Sequence, residues 1–474
     1  MLFPTTDFAI FFALVFLGHW LLNPRPRLWK PFMIGASYVF YSWWDPRFVL
    51  LLAGVTVLAQ LGALAVHRVR DPKTKQAAMV LAVAAVFAPL LYFKYYGFFA
   101  VNVSNAMTSV GLHATMPLIL VVLPVGVSFF TFMAVSYVID VYRGTTEPTG
   151  WVDAFLYLSF FPHLVAGPIV RPNELIPQLD VRRDPRHLDV SGAASLILGG
   201  LFKKVVVSSF LARAIVDPVF GDPARHSAIE ALGAIVGYAV VIYADFSGYT
   251  DIAIGVAKLL GFQFPQNFDR PYSARSLQDF WRRWHMTLSR WLRDYLYIPL
   301  GGSRKGEART YVNIMITMVL GGLWHGAAWT FVFWGALLGA GQVFEAWTRN
   351  RAKRAGVEPV ETELRMWLQR LATFSWVCLG WVFFRSDSMS TAFSMLGRLI
   401  FGWSTPTTLV TPMVIFAIVG MLALQFVPHR PGVLFQDRIS TLRPIVMGVT
   451  FGLVLLLIVS LGPQGVAPFI YFRF

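Results

Sequence analysis

The sequence predicts an all-α protein that crosses a membrane many times. Of its 474 residues, 56% are hydrophobic and only 14% are charged, whereas soluble domains carry about 25% charged residues. Its mean hydropathy is +0.59, and apolar runs of about 20 residues, the length of helix that spans hydrocarbon, recur along the chain. No linker, low-complexity tract or repeat interrupts them. A single integral membrane domain over residues 1–474 is therefore expected.

Apolar segments along the whole chain are candidates for membrane helices. They lie near residues 7–23, 31–44, 47–66, 77–99, 117–140, 151–170, 190–216, 228–260, 311–342, 367–385, 407–427 and 443–461. Some are shorter and some longer than one crossing requires, so the sequence predicts about ten to thirteen membrane segments.

Charged residues between these segments predict the orientation. The N-terminus lacks the basic start and the small-residue cleavage site of a signal peptide, so the first helix is expected to be retained. Arg25, Arg27 and Lys30 follow it, and a second basic stretch occupies residues 67–75. Both are predicted to be cytoplasmic, because cytoplasmic loops are rich in Lys and Arg. The turn WWDPR, residues 43–47, then lies on the outer side.

Several classes of protein are disfavoured by what the chain lacks. Its net charge of +15 is explained by cytoplasmic loops, and no basic soluble domain indicates nucleic-acid binding. The single cysteine, Cys378, excludes an intrachain disulfide framework. Neither GxxxxGK[ST], GxSxG nor HExxH occurs. His285 and His325 stand 40 positions apart without a carboxylate at metal-ligand spacing, so neither a metal nor a bound cofactor is expected.

The most basic stretch, residues 270–309, is also rich in aromatic residues. It holds nine Arg and Lys against three Asp and Glu. Its core, WRRWHMTLSRWLRDYLYIPLGG, is predicted to form an amphipathic or re-entrant helix at the membrane surface. On that helix four arginines lie near one another with tryptophans between them: Arg282, Arg283, Arg290 and Arg293, with Trp281, Trp284 and Trp291. The stretch is either a positive-inside loop with an aromatic belt or a site for an anionic ligand from the cytoplasm.

Residues 311–342 form an apolar stretch with basic residues on both flanks. As one helix it would be roughly 48 Å long, against about 30 Å of hydrocarbon. A broken or re-entrant pair of helices would satisfy both the length and the charges, and Gly321, Gly322 and Gly326 offer places to break. Irregular backbone at that depth is tolerated only against protein or a water-filled cavity. His325, in GGLWHGAAWTF, is therefore predicted to line a cavity.

Two histidines are candidates for chemistry. An ionisable side chain inside a membrane usually has a function, and a neutral imidazole can accept the proton of an alcohol near neutral pH. His325 is accordingly interpreted as a general base, with a structural hydrogen bond as the alternative. His285, in WRRWHMTLS, either makes an interfacial hydrogen bond or assists that chemistry.

Two aspartates are the other charged residues of an apolar region. Asp245 and Asp251 occur in YADFSGYTDIAIG. They are predicted either to pair with a nearby arginine, such as Arg270 or Arg275, or to line the polar cavity.

Long blocks of the sequence resemble the membrane-bound O-acyltransferase family, and more closely its bacterial branch around alginate O-acetylation. The blocks are YADFSGYTDIAIGVAKLLGFQFPQNFDRPY, DFWRRWHMTLSRWLRDYLYIPLGG and GGLWHGAAWTFVFWG, with FPHLVAGPIVRP and the ending FIYFRF as further landmarks. The resemblance covers most of the chain and is strongest over about 155–385.

The resemblance implies a fold of about eleven transmembrane helices, plus re-entrant or interfacial helices, around a central tunnel. It matches His325 to the histidine of the family and His285 to its second site position. It also implies acetyl-CoA as acyl donor. The four arginines then offer a place for that anionic donor. Trp324, Asp245 and Asp251 are further candidates for donor-binding or tunnel residues, with core packing as the alternative for Trp324.

The expected setting follows from the same resemblance. The protein would lie in the bacterial inner membrane, among lipids, and pass acetyl groups to an exported polysaccharide. The transfer would be direct or through a periplasmic O-acetyltransferase partner of the SGNH-hydrolase-like type. Alginate is the first expectation for the acceptor, and cellulose, peptidoglycan or another glycan the alternative. A transporter or a non-catalytic scaffold remains a different class of function, and internal repeats, which transporters often contain, are not evident.

Overall fold

The computed structural model describes residues 1–112, 116–117, 122–356, 360–428, 438, 440–441 and 443–462. Helices account for all the regular secondary structure in these ranges. The landmark FIYFRF, residues 469–474, lies outside the described residues. The all-α class predicted from the sequence is confirmed for the part of the chain that is described.

The helices are numbered in chain order. They are α1 Thr6–Leu22, α2 Pro26–Ser42, α3 Phe48–Arg68, α4 Pro72–Leu90, α5 Tyr96–Ser109, α6 Val127–Arg143, α7 Trp151–Ser159, α8 Phe161–Leu164, α9 Pro172–Leu175, α10 Val190–Leu201, α11 Ser209–Leu211, α12 Asp217–Gly221, α13 Ala228–Leu259, α14 Leu277–Trp281, α15 Met286–Leu292, α16 Glu307–His325, α17 Trp329–Arg354, α18 Glu363–Arg385, α19 Met389–Phe401, α20 Pro412–Ala423 and α21 Pro444–Leu461. Segments of π-helix connect or extend some of them, at Leu91–Tyr95, Phe202–Ser208, Ala212–Val216 and Arg293–Tyr297. Short 3-10 turns occur at Ile176–Asp180, Pro185–His187, Pro223–Arg225, Pro271–Ser273, Gly402–Ser404 and Leu424–Phe426.

Several helical stretches are suited to a membrane. Within the described ranges, four are long and apolar enough to cross one: Phe48–Arg68, Pro72–Ser109, Val190–Gly221 and Ala228–Leu259. Shorter apolar helices are Thr6–Leu22, Pro412–Phe426 and Ile445–Leu461. This fits a multi-pass membrane protein, while the count of about eleven crossings and the central tunnel stay predictions.

Two parts of the chain differ from the segments predicted by hydropathy. The apolar segment 151–170 is not one helix, because Phe160 leaves the helical conformation at ψ 110° and ends α7. The short helix α8 follows, and Gly167 and Pro168 come soon after it, where a proline interrupts helical hydrogen bonding. The structure also contains α19, which the apolar pattern did not predict.

The described residues cluster into two compact units. The first holds Met1–Ala193 and Ile252–Pro265. Within it α3, α4 and α6 pack together, and Tyr137 of α6 donates a hydrogen bond to Gln60 of α3 over 2.8 Å. The second unit holds Ala194–Asp251 and the described residues from Gln266 onward. Every candidate site residue of the sequence analysis belongs to this second unit.

Helices α16 and α17 of the second unit form a hairpin. A Cβ atom at Gly322 would lie 2.2 Å from the carbonyl oxygen of Phe331, and one at Gly335 would lie 2.3 Å from that of Met318. These contacts pair early residues of α17 with late residues of α16, so the two helices are antiparallel. The broken pair predicted for 311–342 is confirmed. Only Gly326, of the three proposed glycines, lies at the break, and Gly322 instead permits the close packing.

Candidate active site

His325 is the last residue of α16, at the tip of the hairpin. Its side chain is buried, with 4% of its surface exposed. Gly326 ends the helix in an extended conformation, at φ −159° and ψ 147°. A Cβ atom at Gly326 would lie 2.1 Å from the ring of Phe331. Glycine is therefore required beside the histidine because an aromatic ring occupies the space of a side chain.

Aromatic rings from three helices surround the imidazole of His325. The centroids of Trp324, Trp334 and Phe384 lie 4.9, 5.1 and 5.2 Å from its own, each nearly perpendicular or edge-on. These side chains come from α16, α17 and α18. His325 is thus enclosed by aromatic side chains of the protein, while the cavity predicted around it stays a prediction.

His285 is the second histidine of this cluster and is completely buried. Its ring centroid lies 6.5 Å from that of His325 and 5.9 Å from that of Trp324. The ring of Phe246 is closer still, with its centroid 4.6 Å away. The structure therefore brings together the two histidines that the sequence analysis selected, with Trp324 in contact with both.

The backbone at His285 is unusual. Its φ is 41° and its ψ 54°, the left-handed region, and Arg270 at φ 45° is the other non-glycine residue with positive φ among the described residues. A left-handed residue cannot continue a right-handed helix. The chain therefore leaves α14 after Trp281 and begins α15 at Met286.

This break corrects the prediction of one amphipathic helix carrying four arginines. Arg282 and Arg283 follow α14, Arg290 lies in α15, and Arg293 begins the π-helical segment after it. Arg282 and Arg293 are exposed and the other two are partly buried. The Nε atom of Arg283 donates to Asp279 over 2.9 Å, and that of Arg293 to Asp294 over 2.6 Å.

Asp245 and Asp251 lie in α13 and pair with lysines. Lys204 forms an ion pair with Asp245, and Lys203 forms one with Asp251. Both lysines belong to the π-helical segment Phe202–Ser208. The predicted pairing with Arg270 or Arg275 is wrong. Arg270 pairs with Asp269, and Arg275 with Glu361.

The sequence analysis missed these lysines although a signal for them existed. LFKKVVV places two adjacent charges inside a predicted membrane segment, where charges are expected to be paired. The Lys204 and Asp245 side chains are only 2% and 5% exposed, whereas those of Lys203 and Asp251 are 17% and 27% exposed. Lys204 and Asp245 therefore form a buried charge pair. Asp245 immediately precedes Phe246, whose ring contacts His285.

Asn267 is another residue that the sequence analysis missed. It is buried, and its backbone carbonyl accepts a hydrogen bond from the N–H of Met286 over 2.9 Å. Its side-chain Oδ1 accepts from the N–H of Thr287 over 3.2 Å and from the Thr287 hydroxyl over 2.9 Å. No local spacing predicts these hydrogen bonds, since Met286 and Thr287 stand 19 and 20 positions after Asn267 in the chain.

No group of three or more His, Cys, Asp or Glu side chains within the described ranges is arranged to hold a metal ion. The site consists of two buried imidazoles and an aromatic shell, and Arg282 and Arg283 shortly precede His285 in the chain. Such an arrangement suits proton transfer to and from a neutral substrate group.

Comparison with known proteins matches residues 127–359 to the membrane-bound O-acyltransferase family. The chain is 37% identical to the probable alginate O-acetylase AlgI of Pseudomonas putida over the full length of both proteins. The chain belongs to the membrane-bound O-acyltransferase family. The resemblance seen in the sequence blocks is thereby confirmed.

Other relatives agree with this membrane-bound O-acyltransferase assignment. The probable alginate O-acetylase AlgI of Pseudomonas aeruginosa is 39% identical over 83% of this chain and 74% of its own length. The peptidoglycan O-acetyltransferase of Helicobacter pylori is 35% identical over 84% of this chain and 80% of its own length. The prediction that this chain is an O-acyltransferase is confirmed, and the matched region contains both histidines.

Proposed function

We propose that this O-acyltransferase takes the acetyl group of cytoplasmic acetyl-CoA and passes it across the bacterial inner membrane to an exported polysaccharide. The observation that carries the proposal is the 6.5 Å separation of the His285 and His325 rings inside an aromatic shell. Proton-transfer groups held close together in a protein interior can act on one reacting centre.

His325 is the general base of the proposed reaction. It accepts the proton of the acceptor hydroxyl as that oxygen attacks the thioester carbonyl of acetyl-CoA. The new C–O bond forms a tetrahedral intermediate with a negative oxygen, which His285 stabilises by a hydrogen bond. The C–S bond then breaks, the acetyl ester is released, and the CoA thiolate recovers the proton from His325.

The arginines supply the electrostatics of donor binding. Acetyl-CoA carries several phosphate charges, and guanidinium groups bind phosphate through paired hydrogen bonds. Arg282 and Arg293 are exposed, and Arg283 and Arg290 partly so, in a stretch predicted to face the cytoplasm. Trp324, between the histidines, shapes the acetyl site. Asp245 and Asp251, already paired with lysines, contribute to the walls of the proposed tunnel and do not contact the anionic donor.

Alginate is the acceptor we propose first. Relatives named as probable alginate O-acetylases match all or most of this chain. The alternative acceptor is a different cell-surface glycan. Peptidoglycan is favoured by the Helicobacter pylori relative named a peptidoglycan O-acetyltransferase, and cellulose is a second alternative acceptor. The acetyl group reaches the glycan directly or through a periplasmic SGNH-hydrolase-like O-acetyltransferase. The whole chain acts as one integral membrane domain without a bound cofactor.

Radiolabelled acetyl-CoA provides the test. Sealed inverted inner-membrane vesicles with and without the full-length protein are given the labelled donor, with alginate, cellulose or peptidoglycan oligosaccharides enclosed. We expect protein-dependent label on alginate, or on a periplasmic partner supplied inside the vesicles. Label on peptidoglycan or cellulose alone would change the acceptor. The proposal would be refuted if the glycan became acetylated without acetyl-CoA, or if the protein moved glycan across the membrane without transferring acetyl groups.

A further inference from the structure

The conformation of His285 has to be maintained by its surroundings. A non-glycine residue at φ 41° occupies a sparsely populated region, and such residues persist only where neighbouring contacts hold them. His285 is also the residue immediately before α15, yet its side chain makes no capping hydrogen bond to that helix. The first N–H groups of α15 therefore find their acceptors elsewhere.

Asn267 supplies those acceptors. Its carbonyl oxygen and its Oδ1 atom bind the N–H groups of Met286 and Thr287, the first two residues of α15. Oδ1 also accepts the Thr287 hydroxyl. An asparagine normally caps the helix that it precedes, but here the cap comes from a residue 18 positions before His285. The imidazole is consequently not used as a cap and lies against Phe246 and toward His325.

We propose that Asn267 is a positioning residue for acyl transfer, which acts by fixing the backbone on the C-terminal side of His285. The inference rests on the proposed role of His285 in the reaction. The side-chain Nδ2 of Asn267 has no hydrogen-bond partner among the described residues. The Oδ1 acceptor is thus the atom that matters, and an aspartate, which keeps an oxygen there, retains the function.

The experiment measures acetyl transfer by the full-length protein in membranes, at saturating and limiting acetyl-CoA. Asn267→Ala is expected to lower kcat by about 10- to 100-fold with KM for acetyl-CoA nearly unchanged, since small misplacement of a reacting group costs on that order. Asn267→Asp is expected to restore most of kcat. Thr287→Val, which removes only the hydroxyl donor, should give a smaller loss, and Thr287→Ser should be close to the unchanged protein.

A double-mutant cycle separates positioning from general stability. If Asn267 acts through His285, adding Asn267→Ala to His285→Ala produces no further loss of kcat. Asn23→Ala is the matched control, because Asn23 also donates a hydrogen bond to a distant backbone carbonyl, that of Arg183. It is expected to leave kcat unchanged. The amount of folded protein and its thermal stability are recorded for every variant.

The outcomes are distinguishable. Additive losses in the cycle, or full activity of both Asn267→Ala and Thr287→Val, would overturn the role of Asn267 while leaving the proposed function intact. Full activity of His285→Ala would overturn the role of His285 in the reaction and, with it, the positioning role of Asn267, while the proposed acetyl transfer would stand. If Asn267→Ala does not fold, the Thr287→Val and Asn267→Asp variants decide the question by the same cycle.

Discussion

The imidazole rings of His285 and His325 lie 6.5 Å apart at an interplanar angle of 53°, and the ring of Trp324 lies within 6 Å of both. Each histidine stands at an interruption of helical structure, His325 at the end of α16 and His285 just before α15. Backbone at such interruptions can place a side chain at an angle that a continuous helix does not allow. The end of α16 and the start of α15 thus both lie at the site proposed for acyl transfer.

Replacing His325 tests its role as the general base. His325→Gln keeps much of the volume but removes the basic nitrogen, so acetyl transfer is expected to fall by about 10²- to 10⁴-fold. The loss should appear in kcat, with acetyl-CoA binding retained. His67→Gln is the matched control, since His67 is exposed near the end of α3. An active His325→Gln enzyme would remove this residue from the mechanism.

Reversing a surface charge tests the donor site. Arg282→Glu is expected to raise KM for acetyl-CoA several-fold and to leave kcat nearly unchanged, because an exposed guanidinium contributes to binding of phosphate but not to bond breaking. The increase should shrink at high salt, which screens exposed charges. Arg27→Glu, at another exposed arginine, is the control for net charge. Equal effects of both variants would argue against a specific donor site.

A methyl group in the hairpin contact tests the packing of α16 against α17. Gly335→Ala would place a Cβ atom 2.3 Å from the carbonyl oxygen of Met318. We expect a loss of stability of about 1–3 kcal/mol, typical of overpacking, seen as a lower unfolding temperature in detergent. Gly397→Ala has no atom within 4 Å of the new methyl group. It should be neutral or slightly stabilising, because alanine favours helix over glycine.

The buried ion pair of Lys204 and Asp245 predicts that a second substitution restores stability lost through the first. Lys204→Met leaves the carboxylate of Asp245 without its lysine and should destabilise the protein by about 3–5 kcal/mol. Adding Asp245→Leu should recover much of this loss, since removing both charges is less costly than removing one. Arg186→Met breaks the exposed pair with Asp184 and should change stability little. Additive losses for the double variant would contradict the prediction.

Orientation in the membrane can be tested by cysteine labelling. The native Cys378 is buried and should react weakly, so single introduced cysteines report their own surroundings. Arg47→Cys, in the predicted outer turn, should react with a membrane-impermeant maleimide in spheroplasts. Lys73→Cys, in the predicted cytoplasmic loop, should react only after permeabilisation. The reverse pattern would invert the predicted topology.

Much of the site was accessible from the sequence because its signals are local. The glycines around His325 predicted the broken hairpin, and the ionisable side chain of His325 in an apolar run marked it as a candidate for chemistry. The prediction of one helix carrying four arginines was wrong because His285 has a left-handed backbone. The neighbouring residues MTLSRWL have ordinary helical propensity, so no local pattern predicts that conformation. Beside that conformation, Met286 and Thr287 donate hydrogen bonds to Asn267, which lies 18 positions before His285 in the chain.

By itself, the sequence determined the membrane class and the helical structure, because hydrocarbon imposes a length and polarity on each segment independently of its neighbours. Its long blocks also indicated the family, and they singled out the two histidines whose roles are proposed. Tertiary structure decided which charges pair and which rings meet. Asp245 and Asp251 bind lysines of another helical segment, not the nearby arginines, and His285 meets His325 through contacts that join distant parts of the chain. Long-range pairing depends on the relative placement of whole helices, and single-residue patterns do not encode that placement.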